Sequence, residues 1–140
     1  MAKLTTPLAK LKKSFDTIFS QYIRLKYANK SGFVKCYTCS TIKHWKEMQC
    51  GHWIPRNILS SRFSEENCRP QCVGCNMFQR GRPAVFSVNL MNEGVNIKDL
   101  QQQRYHIFKV DIFWYLTQIE KYKKLVQSLL EKISVDNAVD

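Results

Sequence analysis

Cys36-Tyr37-Thr38-Cys39 and Cys72-Val73-Gly74-Cys75-Asn76 decide how this chain is read. Each Cys-x-x-Cys turn presents two sulfurs at the spacing of neighbouring ligands on one metal, and two such turns complete the tetrahedral set of a structural Zn²⁺. A metal held this way rivets the chain on both sides of it. The polar residues caught between and beside the pairs, His52, Asn67 and Asn76, then become the candidates for chemistry. The other common use of a Cys-x-x-Cys turn, a thioredoxin-like redox pair, needs a βαβ setting that this sequence does not offer. Cys50 and Cys68 stay outside the pairing and read as small buried residues.

Before the first pair, Leu8, Leu11, Phe15, Ile18, Phe19 and Tyr22 recur at steps of three and four, while Lys10, Lys12, Lys13, Asp16 and Arg24 fall on the other faces. The spacing predicts a helix with Thr6 as N-cap, Pro7 at its first position and Asn29-Lys30-Ser31-Gly32 at its end. Core packing is the first use of that stripe; a dimer seam is the second. From Phe33 to Trp53 the pattern shifts to short apolar and β-branched pieces, Phe33-Val34 and Ile42 through Trp45, with the first Cys pair forming the turn between them. A strand from Met48 to Trp53 carries His52 at its end. Pro55 to Glu66 reads as an irregular, polar and basic loop, and Pro70 argues against a long regular strand from Asn67 to Gln71. A short helix is expected after Cys75. Pro83 starts another that Gly94 ends, with Val85, Phe86, Leu90 and Met91 facing inward.

Ile97 to Gln103 reads as a further short helix. Asp111 to Ile133 reads as a long amphipathic one, with Phe113, Trp114, Tyr122, Leu125, Val126, Leu129, Leu130 and Ile133 apolar, followed by a frayed tail from Ser134 to Asp140. The expected organisation is an N-terminal helix over 1–32, a zinc-clamped core over 33–94 and a helical extension over 95–140.

Twenty-two Lys and Arg against eleven Asp and Glu give a net charge of +11, which favours polyanionic partners such as nucleic acid. No apolar run approaches the roughly 20 residues a membrane-spanning helix needs, so a transmembrane span is excluded. Met1-Ala2-Lys3-Leu4-Thr5-Thr6-Pro7 lacks the apolar region of a secretory signal, and a cytoplasmic location is expected. Cytoplasmic cysteines in such pairs favour metal over disulfides. Lys35, Lys43, Lys46, Arg56, Arg62, Arg69, Arg80 and Arg82 lie near the candidate site in sequence, and Arg56 and Arg62 are the first choice for phosphate contacts because a guanidinium grips phosphate through two parallel bonds.

Gly51-His52, Asn67 and Cys72-Val73-Gly74-Cys75-Asn76 together resemble the HNH, or ββα-metal, nuclease motif built into a zinc-clamped, treble-clef-like loop. More narrowly, Cys50-Gly51-His52-Trp53-Ile54-Pro55-Arg56, with Arg62-Phe63, Asn67, Gln71-Cys72, Cys75-Asn76 and Gly81, resembles the phage lambda NinG (Rap) family of recombination endonucleases and, beyond it, junction resolvases of the T4 endonuclease VII type. The resemblance spans roughly Cys36 to Leu90.

It implies an endonuclease acting on branched DNA such as Holliday junctions and D-loops, leaving a 5′ phosphate. His52 would be the general base, Asn76 the ligand of a catalytic Mg²⁺ or Mn²⁺, Asn67 the residue that orients the imidazole loop, and the paired cysteines the ligands of a Zn²⁺ outside the chemistry. Arg56, Arg62, Arg80, Arg82, Lys35 and Lys43 are the expected DNA contacts. Many HNH motifs carry Asp or His just before the base; here Gly51 has no side chain, so a second metal ligand would come from Glu47, Gln49 or Glu65, or water would fill the place. Two-strand cleavage suggests a homodimer. The expected fold is α+β. The competing function is a non-catalytic zinc module that binds nucleic acid or recruits a recombination partner, and a third is an HNH nickase or DNase without structure preference.

Overall fold

The computed structural model describes residues 6–106 and 109–137, with side chains to Ile133 in the last helix. It shows a mixed helix and sheet fold in the order α1 (Pro7–Lys26), β1 (Phe33–Lys35), β2 (Ile42–His44), β3 (Gln49–His52), α2 (Leu59–Arg62), β4 (Cys68–Gln71), a π-helical turn (Gly74–Phe78), α3 (Pro83–Asn92), α4 (Ile97–Gln103) and α5 (Ile112–Asn137). Both sheets are two-stranded and antiparallel. The first sets Val34 opposite Lys43, and the second sets Gln49 opposite Gln71 and His52 opposite Cys68.

The first helix begins as its sequence dictates. Thr6 Oγ1 accepts the Ala9 amide at 3.1 Å, satisfying one of the otherwise unpaired first-turn donors, and Pro7 follows at a position where no amide is needed. Phe15, Phe19 and Ile23 of α1 bury against Tyr115, Ile119 and Tyr122 of α5, with Cys68 of β4 beneath them. Leu8, at the start of the stripe, is exposed. Phe15 stacks on Phe63 at 4.3 Å and meets Tyr122 at 5.4 Å, so the two terminal helices clamp the loop that precedes β4. Glu65 of that loop accepts from Tyr22 at 3.0 Å, Tyr122 at 2.9 Å and Lys26 at 3.3 Å.

Several expectations are corrected. Residues 55–66 are not wholly irregular: α2 and a 3₁₀ turn at Glu65–Asn67 order them. The expectation for Pro70 stands, since the strand that holds it is short. That strand is four residues long, and its carbonyl on the far side accepts the Tyr37 amide at 2.9 Å, so the missing proline N–H costs the ladder little. Met91 and Phe113 face solvent, because α3 buries only Phe86 and Leu90, and α5 uses Tyr115 and Ile119 in the register next to Phe113. The last helix runs through Ser134 to Asn137. Gly94 ends α3 at φ +89°, a left-handed conformation that a Cβ would strain.

Candidate functional site

The β1–β2 turn and the segment after β4 bring Cys36, Cys39, Cys72 and Cys75 together, with all four sulfurs within 4.8 Å of one another. A tetrahedron of zinc–sulfur bonds has edges of about 3.8 Å, and Cys39 Sγ stands 3.6 Å from Cys72 Sγ, far too long for a disulfide. Main-chain amides point into the cluster: Cys72 N lies 3.3 Å from Cys36 Sγ, and Cys75 N lies 3.5 Å from Cys72 Sγ. Such donors stabilise thiolates. The Thr41 hydroxyl, 3.1 Å from Cys39 Sγ, brings that thiol down to about 6. The cluster could hold a zinc ion, and its donor set fits that metal.

His52 ends β3, half-buried, with Nε2 2.8 Å from the Arg62 carbonyl. A carbonyl only accepts, so in the neutral ring the proton sits on Nε2 and the lone pair on Nδ1. Burial lowers the pKa of the ring from its usual value; the carbonyls of Arg62 and Cys50 oppose that, and the charges of Arg56 and Arg62 add to it. Asn67 is wholly buried. Its Oδ1 accepts the Ile54 amide at 2.7 Å, and its Nδ2 donates to the carbonyls of Ile54 at 3.0 Å and Ser61 at 3.2 Å. One amide therefore ties the loop leaving His52 to the residue that precedes β4.

Asn76 sits in the π-helical turn and donates from Nδ2 to Gln49 Oε1 at 2.7 Å, which leaves its own Oδ1 as an acceptor. His52 and Asn76 line one cavity of about 480 Å³ together with Asp16, Arg24, Gln49 and Arg56. They also share a neighbouring one of about 390 Å³ with Arg56, Arg80 and Trp53. Of the three side chains expected to compensate for Gly51, Gln49 alone lines the first cavity. Glu65 is engaged under the helices, and Glu47 is exposed on a 3₁₀ turn.

Gly51 is bare for a packing reason: a Cβ there would stand 2.0 Å from Gln71 Oε1 and 2.6 Å from its Cδ. Gln71 is wholly buried, its Nε2 bonded to Thr38 Oγ1 at 3.0 Å and to the Gly81 carbonyl at 2.9 Å.

The expected DNA contacts divide. Arg56 and Arg80 are exposed and line the cavities, and Lys35 and Lys43 stand exposed on the β1–β2 hairpin. Arg80, Gly81 and Arg82 all adopt left-handed backbone, at φ +52°, +82° and +46°, and Arg82 Nη1 donates to the Thr38 carbonyl at 3.0 Å. Arg62 is placed differently from the sequence expectation. It is buried, and its three nitrogens are used: Nε donates to Asp16 Oδ1 at 2.8 Å, Nη2 to Asp16 Oδ2, and Nη1 to the Arg56 carbonyl at 2.8 Å. Arg69 is likewise buried, between the rings of Tyr27 and Tyr37, with Nε 3.1 Å from Glu93.

Asp16 is the residue that sequence reasoning missed. It fell on the polar side of α1, and nothing local in the sequence marks it. Only the packing of α1 across β3 brings its carboxylate to the cavity and to Arg62, whose carbonyl in turn holds His52.

Comparison with curated proteins and with solved structures gives no match. The family model described as Bacteriophage Lambda NinG protein matches residues 2–133, a span that includes α1 and most of α5 along with the cysteine-bounded core. The chain belongs to the bacteriophage lambda NinG protein family.

Proposed function

We propose that this protein is a metal-dependent DNA endonuclease that hydrolyses phosphodiesters in branched recombination intermediates such as Holliday junctions and D-loops. One observation carries the proposal: a largely neutral imidazole, His52, and an amide oxygen that accepts no hydrogen bond from the described residues, that of Asn76, line the same cavity, which is rimmed by arginines. Membership of the bacteriophage lambda NinG protein family is consistent with it. The order β3, β4 and then a helical turn, with His52 ending the first strand and Asn76 in the turn, supports a ββα-metal arrangement.

In this mechanism the Arg62 carbonyl fixes the His52 ring, and Nδ1 takes the proton of the attacking water. Asn67 keeps the loop that carries the ring in register with β4. Gln49 holds the Asn76 amide so that Oδ1 is presented as a ligand. Asn76 Oδ1, a hard oxygen donor, would hold a Mg²⁺ or Mn²⁺ ion, which would supply positive charge to the scissile phosphate when bound. Arg56 and Arg80 grip neighbouring phosphates. Lys13 and Arg24 extend the cationic lining along α1, where a third groove, of about 360 Å³, shares Asp16, Arg24 and Arg56 with the larger cavity. Cutting two strands of a junction requires two sites, so the proposal includes a homodimer, for which Ile112, Phe113 and Leu116 supply an exposed apolar face on α5.

The test incubates the protein with labelled four-way junction and linear duplex in Mg²⁺, Mn²⁺ or EDTA, beside His52→Ala and Asn76→Ala. Junction cleavage that needs the metal and falls by about 100-fold or more in His52→Ala is expected. Binding without cleavage in every metal would replace the proposal with a DNA-binding adaptor, and equal cutting of duplex and junction would replace the substrate assignment.

A further inference from the structure

The two cysteines outside the zinc-type cluster are not isolated. In the β3–β4 register His52 lies opposite Cys68 and Cys50 opposite Pro70, so Cys50, His52 and Cys68 share one face of the sheet. One ligand atom from each lies within 4.8 Å of the other two. Cys68 is wholly buried behind this group, with Sγ 3.9 Å from the same Arg62 carbonyl that holds His52 Nε2. Cys50 and His52 are half-buried and line both cavities at the site, which gives an ion a way in and leaves room for a water.

We propose that Cys50, His52 and Cys68 form a second metal site, selective for a thiophilic divalent ion of the zinc class and open to solvent at its fourth position. Two sulfurs and an imidazole are a donor set that zinc takes with three protein ligands and a water, whereas Mg²⁺, which requires oxygen, is rejected. The site differs from the Cys36, Cys39, Cys72 and Cys75 cluster in having two half-buried ligands where that cluster has one, and one ligand fewer, so its ion exchanges more readily. If His52 is the base proposed above, filling this site removes the base from play: the same imidazole cannot hold zinc and accept a proton from water. That consequence rests on the nuclease reading, while the binding itself does not.

The experiment counts zinc. Full-length protein is titrated with Zn²⁺ against a chromophoric chelator, and with Co²⁺ to follow thiolate-to-cobalt charge transfer, in the wild type, Cys50→Ser and Cys68→Ala. Two equivalents are expected for the wild type, one held more tightly than the other, and one for each variant. In Cys50→Ser, whose side chain is half-buried, circular dichroism and the urea midpoint show whether the fold is kept. A wild type that saturates at one equivalent, or a folded Cys50→Ser that still takes two, overturns the proposal. Where junction cleavage is present, excess Zn²⁺ should lower it by about 100-fold or more in the wild type and leave Cys50→Ser largely uninhibited. Equal inhibition of both proteins overturns the link to His52. An inactive protein that still binds two zinc ions would sink the nuclease reading and leave the site intact.

Discussion

Replacing Gly51 by alanine probes the packing that strips the position before His52 of a side chain. The backbone there is an ordinary strand, so alanine would by itself stabilise the fold by about 0.5–1 kcal/mol through the entropy of the unfolded chain. Against this, the new methyl would stand 2.0 Å from Gln71 Oε1, 2.6 Å from Cδ and 2.8 Å from Cγ, so that no small rotation of the amide clears it. Gln71 cannot swing into solvent, being 0% exposed, and moving it breaks the bonds from Nε2 to Thr38 and Gly81. Two hydrogen bonds at about 1 kcal/mol each, with about 1–2 kcal/mol of overpacking, give a loss of about 3–4 kcal/mol. The net effect is about 3 kcal/mol of destabilisation. With a urea slope of about 2 kcal/mol/M, the midpoint should fall by about 1.5 M. Adding Gln71→Ala removes the colliding atoms, so in that background Gly51→Ala should be neutral or stabilising, a coupling of about 3 kcal/mol. A Gly51→Ala protein as stable as the wild type would refute the close approach and, with it, this account of why the position before His52 carries no side chain.

Three further outcomes follow from the same geometry. Asp16→Asn leaves the buried Arg62 cation with weaker acceptors and should cost about 2 kcal/mol in urea unfolding, since both side chains are less than a quarter exposed; an unchanged midpoint would mean the pair is not holding the loop. His52 is held below its ordinary value, mainly by burial, so the folded protein resists its protonation. The unfolded chain then binds the extra proton first: the stability contributed by neutral His52 is full above about pH 6.5 and is lost as pH falls from there through the lower folded pKa. His52→Gln should flatten that acid limb of midpoint against pH, and equal slopes in the two proteins would remove the argument. Cys72→Ser, which breaks the zinc-type cluster, should abolish the tighter zinc equivalent and the cooperative unfolding transition together, because zinc binding of this kind contributes roughly 10 kcal/mol or more to folding. A variant that still melts cooperatively without metal would show that the core does not depend on it.

How far the sequence reached depended on whether the deciding contact was local. The N-terminal cap at Thr6 and Pro7, the helix over Ile97–Gln103 and the end of α3 at Gly94 each follow from neighbours within one turn, and all three stand as the residues imply. The four paired cysteines are equally legible, since their spacing predicts one cluster and the fold brings all four sulfurs within 4.8 Å of one another. What escaped was set by distant packing. Arg62 looks like a phosphate ligand in a basic loop, and its withdrawal into a pair with Asp16 depends on α1 crossing β3. Phe113 carries the hydrophobicity of a core position, yet α5 turns Tyr115 inward in its place. Gly51 looked like a missing ligand, and the reason for its bareness lies on the facing strand.

Gln71 joins these parts. It precedes Cys72 directly, and its amide reaches Thr38 inside the first Cys pair and Gly81 beyond the π-helical turn, while its oxygen lies over Gly51 beside His52. Gln71 Oε1 is buried and has no hydrogen-bond partner among the described residues, a cost that the strand tolerates because Nε2 makes two bonds. One side chain thus couples the zinc-type cluster, the turn that carries Asn76 and the strand that carries His52. Through Gln71 a change in the cysteine cluster is transmitted to the strand that ends in His52, so an ion held by the four cysteines would act on the geometry around His52 and Asn76 from a distance.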